Sequence, residues 1–175
     1  MPSFPSAPEK FVYSRIGCLI RDFNQCLGRI PESLIAFLGR FSIATVFWKS
    51  GQTKIEGFSL DIIERTYQFN WPHLSDSAVY LFREEYHLPL MSPEFAASFA
   101  ALAEHVLPAL LLVGFATRLS AAALLLMTLV IQIFIYPDAY ATHGTWAAIL
   151  LYLMVRGGGV LSIDHWFVPR AQRDC

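Results

Sequence analysis

Arg40 and Glu104 are charged side chains placed well inside long apolar runs. Each would cost about 2.5–3.5 kcal/mol at the centre of a membrane helix, so neither is expected to face lipid alone. If one span covers 32–52 and the next covers 93–114, Arg40 lies twelve residues before the outer end of the first and Glu104 eleven residues into the second. At ~1.5 Å of rise per residue both then lie about 16–18 Å below the same surface. The expected arrangement is a guanidinium and a carboxylate that face each other or share a water-filled cavity. Such a pair can fix the register of two helices, or it can handle a proton or a polar substrate inside the membrane. Both uses stay open on sequence alone.

The neighbouring polar residues sort by helical face. Lys49 is nine positions from Arg40, about half a turn beyond whole turns, so it points the other way. With Gln52 it is expected at an outer vestibule or among headgroups, within snorkelling reach of water. In the second span Pro108 lacks a backbone N–H, which frees the carbonyl of Glu104. His105 points about 100° away and is read either as a hydrogen-bonded structural histidine or as a proton relay. Thr128, Gln132 and Tyr136 recur every four residues, and Tyr152 falls near mid-depth of the last span. Arg40, Glu104, His105, Gln132 and Tyr152 are therefore the candidates for a buried polar pocket. Lys49, Gln52, His87 and His143 are the candidates for its outer vestibule. His73, His87 and His143 share the outer side with Glu84 and Glu85, but their spacing matches no compact ligand pattern, so no metal is expected.

The elements that must position these groups are membrane helices. Hydrophobic residues make up 55% of the 175 and charged residues 15%, and mean hydropathy is +0.45, a composition that argues against a soluble domain. Four spans are expected at about 32–52, 93–114, 118–136 and 143–161, as an all-α, integral membrane four-helix bundle spanning 32–161. Residues 1–31 carry apolar positions at helical spacing, from Val12 and Ile16 to Leu27 and Ile30, and are expected to lie as an amphipathic helix on the inner leaflet. Residues 162–175 are expected as a tail. With four spans the termini share a side, and that side collects most Lys and Arg, including Arg15, Arg21, Arg29, Arg118 and Arg156. Both ends are thus expected in the cytoplasm. The long outer loop, 53–92, is expected to carry one or two short helices around Phe58, Ile62, Ile63, Tyr67 and around Val79, Leu81, Phe82. The net charge of −1 and the lack of a basic stripe exclude nucleic-acid binding. Cys18, Cys26 and Cys175 form no C-x-x-C pair and are expected to be ordinary thiols.

The order RFSIATVFWKSGQTKI, an outer segment ending EYHLPLMSPEFAA, then AEHVLPALLLVGFATRLSAA and two further apolar runs resembles the DoxX family of small four-helix bacterial inner-membrane proteins, over residues 33–165. The family pattern has an arginine early in helix one, Gly-x-x-Lys at its end, a glutamate in helix two and a Gly-x-x-Thr-Arg turn. Here Arg40, Gly51 with Lys54, Glu104, and Gly114 with Thr117 and Arg118 match it. The KSGQTKI and EYHLPL segments resemble a subgroup found beside small secreted metal-handling proteins. The resemblance implies an accessory subunit of a quinone-linked redox system or of a metal or thiol stress system, with quinone as the cofactor it suggests. It further implies a membrane or periplasmic protein partner, and self-association is left open. A small transporter-like module for a metal or solute is the alternative. The chain lacks the cysteine pair, haem motif and dinucleotide fingerprint needed for electron transfer by itself.

Overall fold

The computed structural model describes residues 7–61, 65–86 and 91–167. The chain is mostly helical, with α1 over Ala7–Leu27 and α2 over Glu32–Gln52. A hairpin of β1, Ile55–Asp61, and β2, Thr66–Leu74, follows, then α3, Asp76–Leu81, which runs into a π-helical turn at Phe82–Tyr86. Next come α4, Pro93–Val113, and α5, Thr117–Val130, which continues as a second π-helical turn at Ile131–Ile135. A 3₁₀ turn at Pro137–Ala139 leads to α6, Tyr140–Arg156, and α7 covers Ile163–Phe167.

Local signals explain where α4 begins and ends. The Ser92 hydroxyl accepts the Phe95 N–H at 3.3 Å, and Pro93 occupies the first turn, where its missing N–H does no harm. Gly114 ends the helix at φ 75°, the left-handed conformation that glycine adopts without a Cβ penalty. Pro108 is accommodated inside the helix. α2 packs against α4 and α6, and α5 packs against the same two helices. Ala36, Ile43 and Phe47 of α2, Leu111 of α4, Ala121 and Leu124 of α5, and Leu150 and Leu153 of α6 form the shared apolar core.

Among the described residues, α4 and the stretch Thr117–Ile135 are each long and apolar enough to cross a membrane. Arg15–Leu27 and α2, bent by 60° at the break between them, pass the same test only as a pair. At 17 residues α6 is shorter than either. Large apolar side chains on these helices, such as Leu119 and Val155, are exposed, as lipid-facing residues would be.

The outer segment corrects the expectation of an all-α fold with helices around Phe58–Tyr67. Phe58 and Leu60 alternate with Ser59, and Tyr67, Phe69 and Trp71 alternate with Gln68 and Asn70, a period of two that makes strands. Phe58 pairs with Phe69 and Leu60 with Tyr67 in antiparallel register. Gly57, at φ 86°, makes the irregularity between Glu56 and Phe58, and a Cβ there would lie 2.5 Å from the Trp71 carbonyl oxygen. Ile62 and Ile63 lie outside the described residues. Residues 76–86 of the segment are helical, and Phe82 packs on Ala96, Ala97 and Ala100.

Candidate functional site

α4 ends against α2, and its last carbonyls have no partners within the helix. Arg40 supplies them. Its Nη1 donates to the Leu111 and Leu112 oxygens at 3.5 and 3.2 Å, and its Nη2 donates to the Leu161 oxygen at 2.5 Å. The guanidinium is also 5.7 Å from the Phe37 ring centroid. Gly114 makes room for it, because a Cβ there would come 2.3 Å from Nη1. Asp164 completes this inner end: its carboxylate accepts the Ala116 and Thr117 N–H groups at 2.7 and 2.8 Å and so caps α5. Residues 157–167 therefore fold back beneath the α4–α5 turn, where a simple tail was expected from 162 onward.

Arg40 thus does not meet Glu104, which corrects the expected pair. Arg40 stands at the level of Leu111, seven residues from Glu104 on α4, a difference of about 10 Å. Equal depth would require α2 to end where α4 begins. Instead the first turns of α4 pack on Phe82 of the outer segment, and α4 starts further out than α2 ends.

Glu104 has a different partner, Lys54, two residues past the end of α2. Lys54 Nζ lies 2.6 Å from Glu104 Oε2 and also donates to the Ser50 hydroxyl and carbonyl at 3.0 and 3.2 Å. Both residues are buried, Glu104 at 2% exposure and Lys54 at 8%. Gly51 lets the helices approach, since a Cβ on it would lie 3.1 Å from the Glu104 Cβ and 2.8 Å from His105 Cε1. The Gly-x-x-Lys spacing therefore has a physical meaning: glycine gives the contact and lysine, three residues on, gives the countercharge.

His105 belongs to a structural chain. Its Nδ1 donates to the Ala101 oxygen at 2.7 Å, and its Nε2 accepts from Gln52 Nε2 at 2.7 Å, an assignment that follows because Gln52 Oε1 accepts the Leu60 N–H at 2.8 Å. Trp48 stacks edge-on to the same ring at 5.0 Å and donates to the Leu60 oxygen at 3.0 Å. Together they pin the hairpin to the outer end of α2.

A cavity of about 440 Å³ lies between α2, α4, α5 and α6, within the range of small-molecule sites. Its walls are largely apolar, with Phe47, Leu107, Met127, Ile131 and Trp146 among them. Ser50, Lys54, Glu104, Tyr86, Tyr136 and His143 supply the polar groups. The Tyr86 and Tyr136 hydroxyls are 3.3 Å apart, joining the two π-helical turns. Burial, then the bond to Tyr136, raises the Tyr86 phenol above its usual range. His143 Nδ1 donates to Gln132 Oε1 at 2.7 Å, and Gln132 Nε2 donates to the Pro137 oxygen at 2.6 Å.

Of the residues singled out from sequence, Glu104 and His143 line this cavity. Gln132 stands behind His143, and Gln52 and His105 stand behind the Lys54 corner. Tyr152 donates to the Glu32 oxygen at 3.2 Å, at the inner end of α2 and away from Glu104. Lys49 is exposed, and His87 lies outside the described residues. Ser50, Lys54 and Tyr86 are the side chains that sequence reasoning did not place at the site. Among the described residues no three His, Cys, Asp or Glu side chains cluster as metal ligands, and His73 instead stands 3.6 Å from Glu56 on the hairpin.

A family model described as DoxX matches residues 35–137, more than half of the chain. No curated protein and no solved structure matches it.

Proposed function

We propose that this chain, which belongs to the DoxX family of membrane proteins, is an accessory subunit of a membrane redox system and holds the head of a quinone-type ligand in the cavity beside Lys54 and Glu104. One observation carries this reading: a buried ion pair, 2.6 Å across, stands on the wall of an otherwise apolar cavity of about 440 Å³. Apolar walls with a few convergent polar groups suit a flat, weakly polar ring. A quinone offers carbonyl oxygens as acceptors, and Lys54 can donate to one by giving up its 3.2 Å contact with the Ser50 carbonyl while it keeps Glu104. Tyr86, Tyr136 and His143 supply further hydroxyl and imidazole groups at the same cavity. The chain itself binds and orients, while electrons come from a membrane or periplasmic partner subunit.

In this reading α2, α4, α5 and α6 are four spans of a bacterial inner-membrane bundle with both ends in the cytoplasm. The exposed apolar face of α1, Ile16, Leu19, Ile20, Phe23 and Leu27, suits the inner leaflet. The test is extraction: protein purified in mild detergent should carry quinone, and the K54M/E104M variant should not. Equal amounts in both would overturn the assignment.

A further inference from the structure

Phe99 on α4 and Leu126 on α5 both line the cavity, yet they are 58% and 66% exposed. A residue that borders a cavity and also faces outward marks its mouth. Both belong to stretches long and apolar enough to cross a membrane, so outward here means toward acyl chains. Beside this mouth α4 and α5 present the small side chains Ala100, Ala103 and Ala123 to the cavity, with Leu107, Met127 and Val130 lining it further along the same helices. Toward the outer surface Met91 and Tyr136 also border the cavity and are half exposed, but there the Tyr86 and Tyr136 hydroxyls stand 3.3 Å apart across the opening.

We propose that the cavity opens sideways into the bilayer through the slot between α4 and α5, and that its ligand is a membrane-dissolved amphiphile. The polar head reaches Lys54 and Glu104, and the apolar tail leaves between Phe99 and Leu126. Glu104 is five residues from Phe99 along α4, about 8 Å of rise, so a ring-sized head fills the interval and the tail begins at the slot. This inference rests on the proposed reading that the cavity binds a ligand. It adds the route by which that ligand arrives and the amphiphilic class to which it belongs.

The test uses the full chain in lipid nanodiscs and a decyl-tailed benzoquinone, followed by quenching of tryptophan fluorescence after rapid mixing. Ala103→Phe narrows the slot and should slow association and dissociation together by about tenfold or more, leaving the equilibrium constant within about threefold. Leu126→Ala widens the mouth at a lipid-facing position and should speed both. Unchanged rates in both variants, with binding still dependent on Lys54 and Glu104, would overturn the slot and leave the quinone reading standing. If the wild type binds no quinone, the quinone reading fails and the slot is judged without it. Brominated-chain lipids should then quench Trp146, which lines the cavity, and Ala103→Phe should remove that portion of the quenching. The Trp146→Phe variant identifies it. Quenching insensitive to Ala103→Phe would show that acyl chains do not reach the cavity and would overturn the inference.

Discussion

Lys54 folds back past the end of α2 to place its ammonium 2.6 Å from the Glu104 carboxylate, while Arg40, on the same helix, serves the end of α4. Arg40 within α2 and Lys54 just past its end thereby have separate tasks. One is a cap and the other faces a cavity.

Neutralising one partner of the Lys54–Glu104 pair leaves the other charge buried and alone. Glu104→Gln and Lys54→Met should each destabilise the protein by about 3–5 kcal/mol, whereas K54M/E104M should be nearly neutral. Thermal unfolding in detergent checks this. Additive losses in the double variant would contradict it.

Arg40→Met should destabilise by about 3 kcal/mol or more, since it removes the guanidinium from the Leu112 and Leu161 carbonyls and leaves Leu111 with the Gly114 N–H alone. Arg40→Lys should recover little, because an ammonium cannot reproduce the planar fork that spans two segments. Quinone affinity of the folded fraction should not change. A selective loss of binding at unchanged stability would place Arg40 at the site instead.

Gly51→Ala should cost about 1–3 kcal/mol through overpacking against His105, whose Cε1 would lie 2.8 Å from the new methyl. Removing the imidazole in G51A/H105A should recover part of that loss. An additive double variant would show that the clash is elsewhere.

Tyr86 gives a pH dependence. Its phenol is raised in the folded state, first by burial and then by the Tyr136 hydroxyl. Both states hold the proton below the unfolded value of about 10, so stability is unaffected there; above it the unfolded state ionises first, and stability falls as pH rises. Tyr86→Phe should flatten that alkaline slope. An equal slope in the variant would assign it to other groups.

Several features of this architecture can be read from residues in isolation. Ser92-Pro93 starts α4 and Gly114 stops it, and the apolar run from Leu119 to Tyr136 carries no charge. The alternation through Tyr67, Phe69 and Trp71 was equally visible, but Phe58, Ile62 and Tyr67 also fit a helical period, and no local term decides between them. The Arg40–Glu104 pairing failed for a different reason. Counting residues from span ends assumes that the ends are level, whereas the stagger of α2 and α4 is set by Phe82 and the small face of Ala96, Ala97 and Ala100. That packing is long-range, and its Phe82 lies outside either span. Lys54 left a trace, since Gly51 three residues earlier marks where another helix can approach closely.

The most direct measurement is a quinone titration of wild-type protein and K54M/E104M in the same nanodiscs, with thermal unfolding confirming that both are folded. Saturable binding that weakens by about tenfold or more in the double variant is the expected result, the size of one lost charged contact to a ligand. Equal affinity in the two proteins would show that the buried pair does not recognise the ligand.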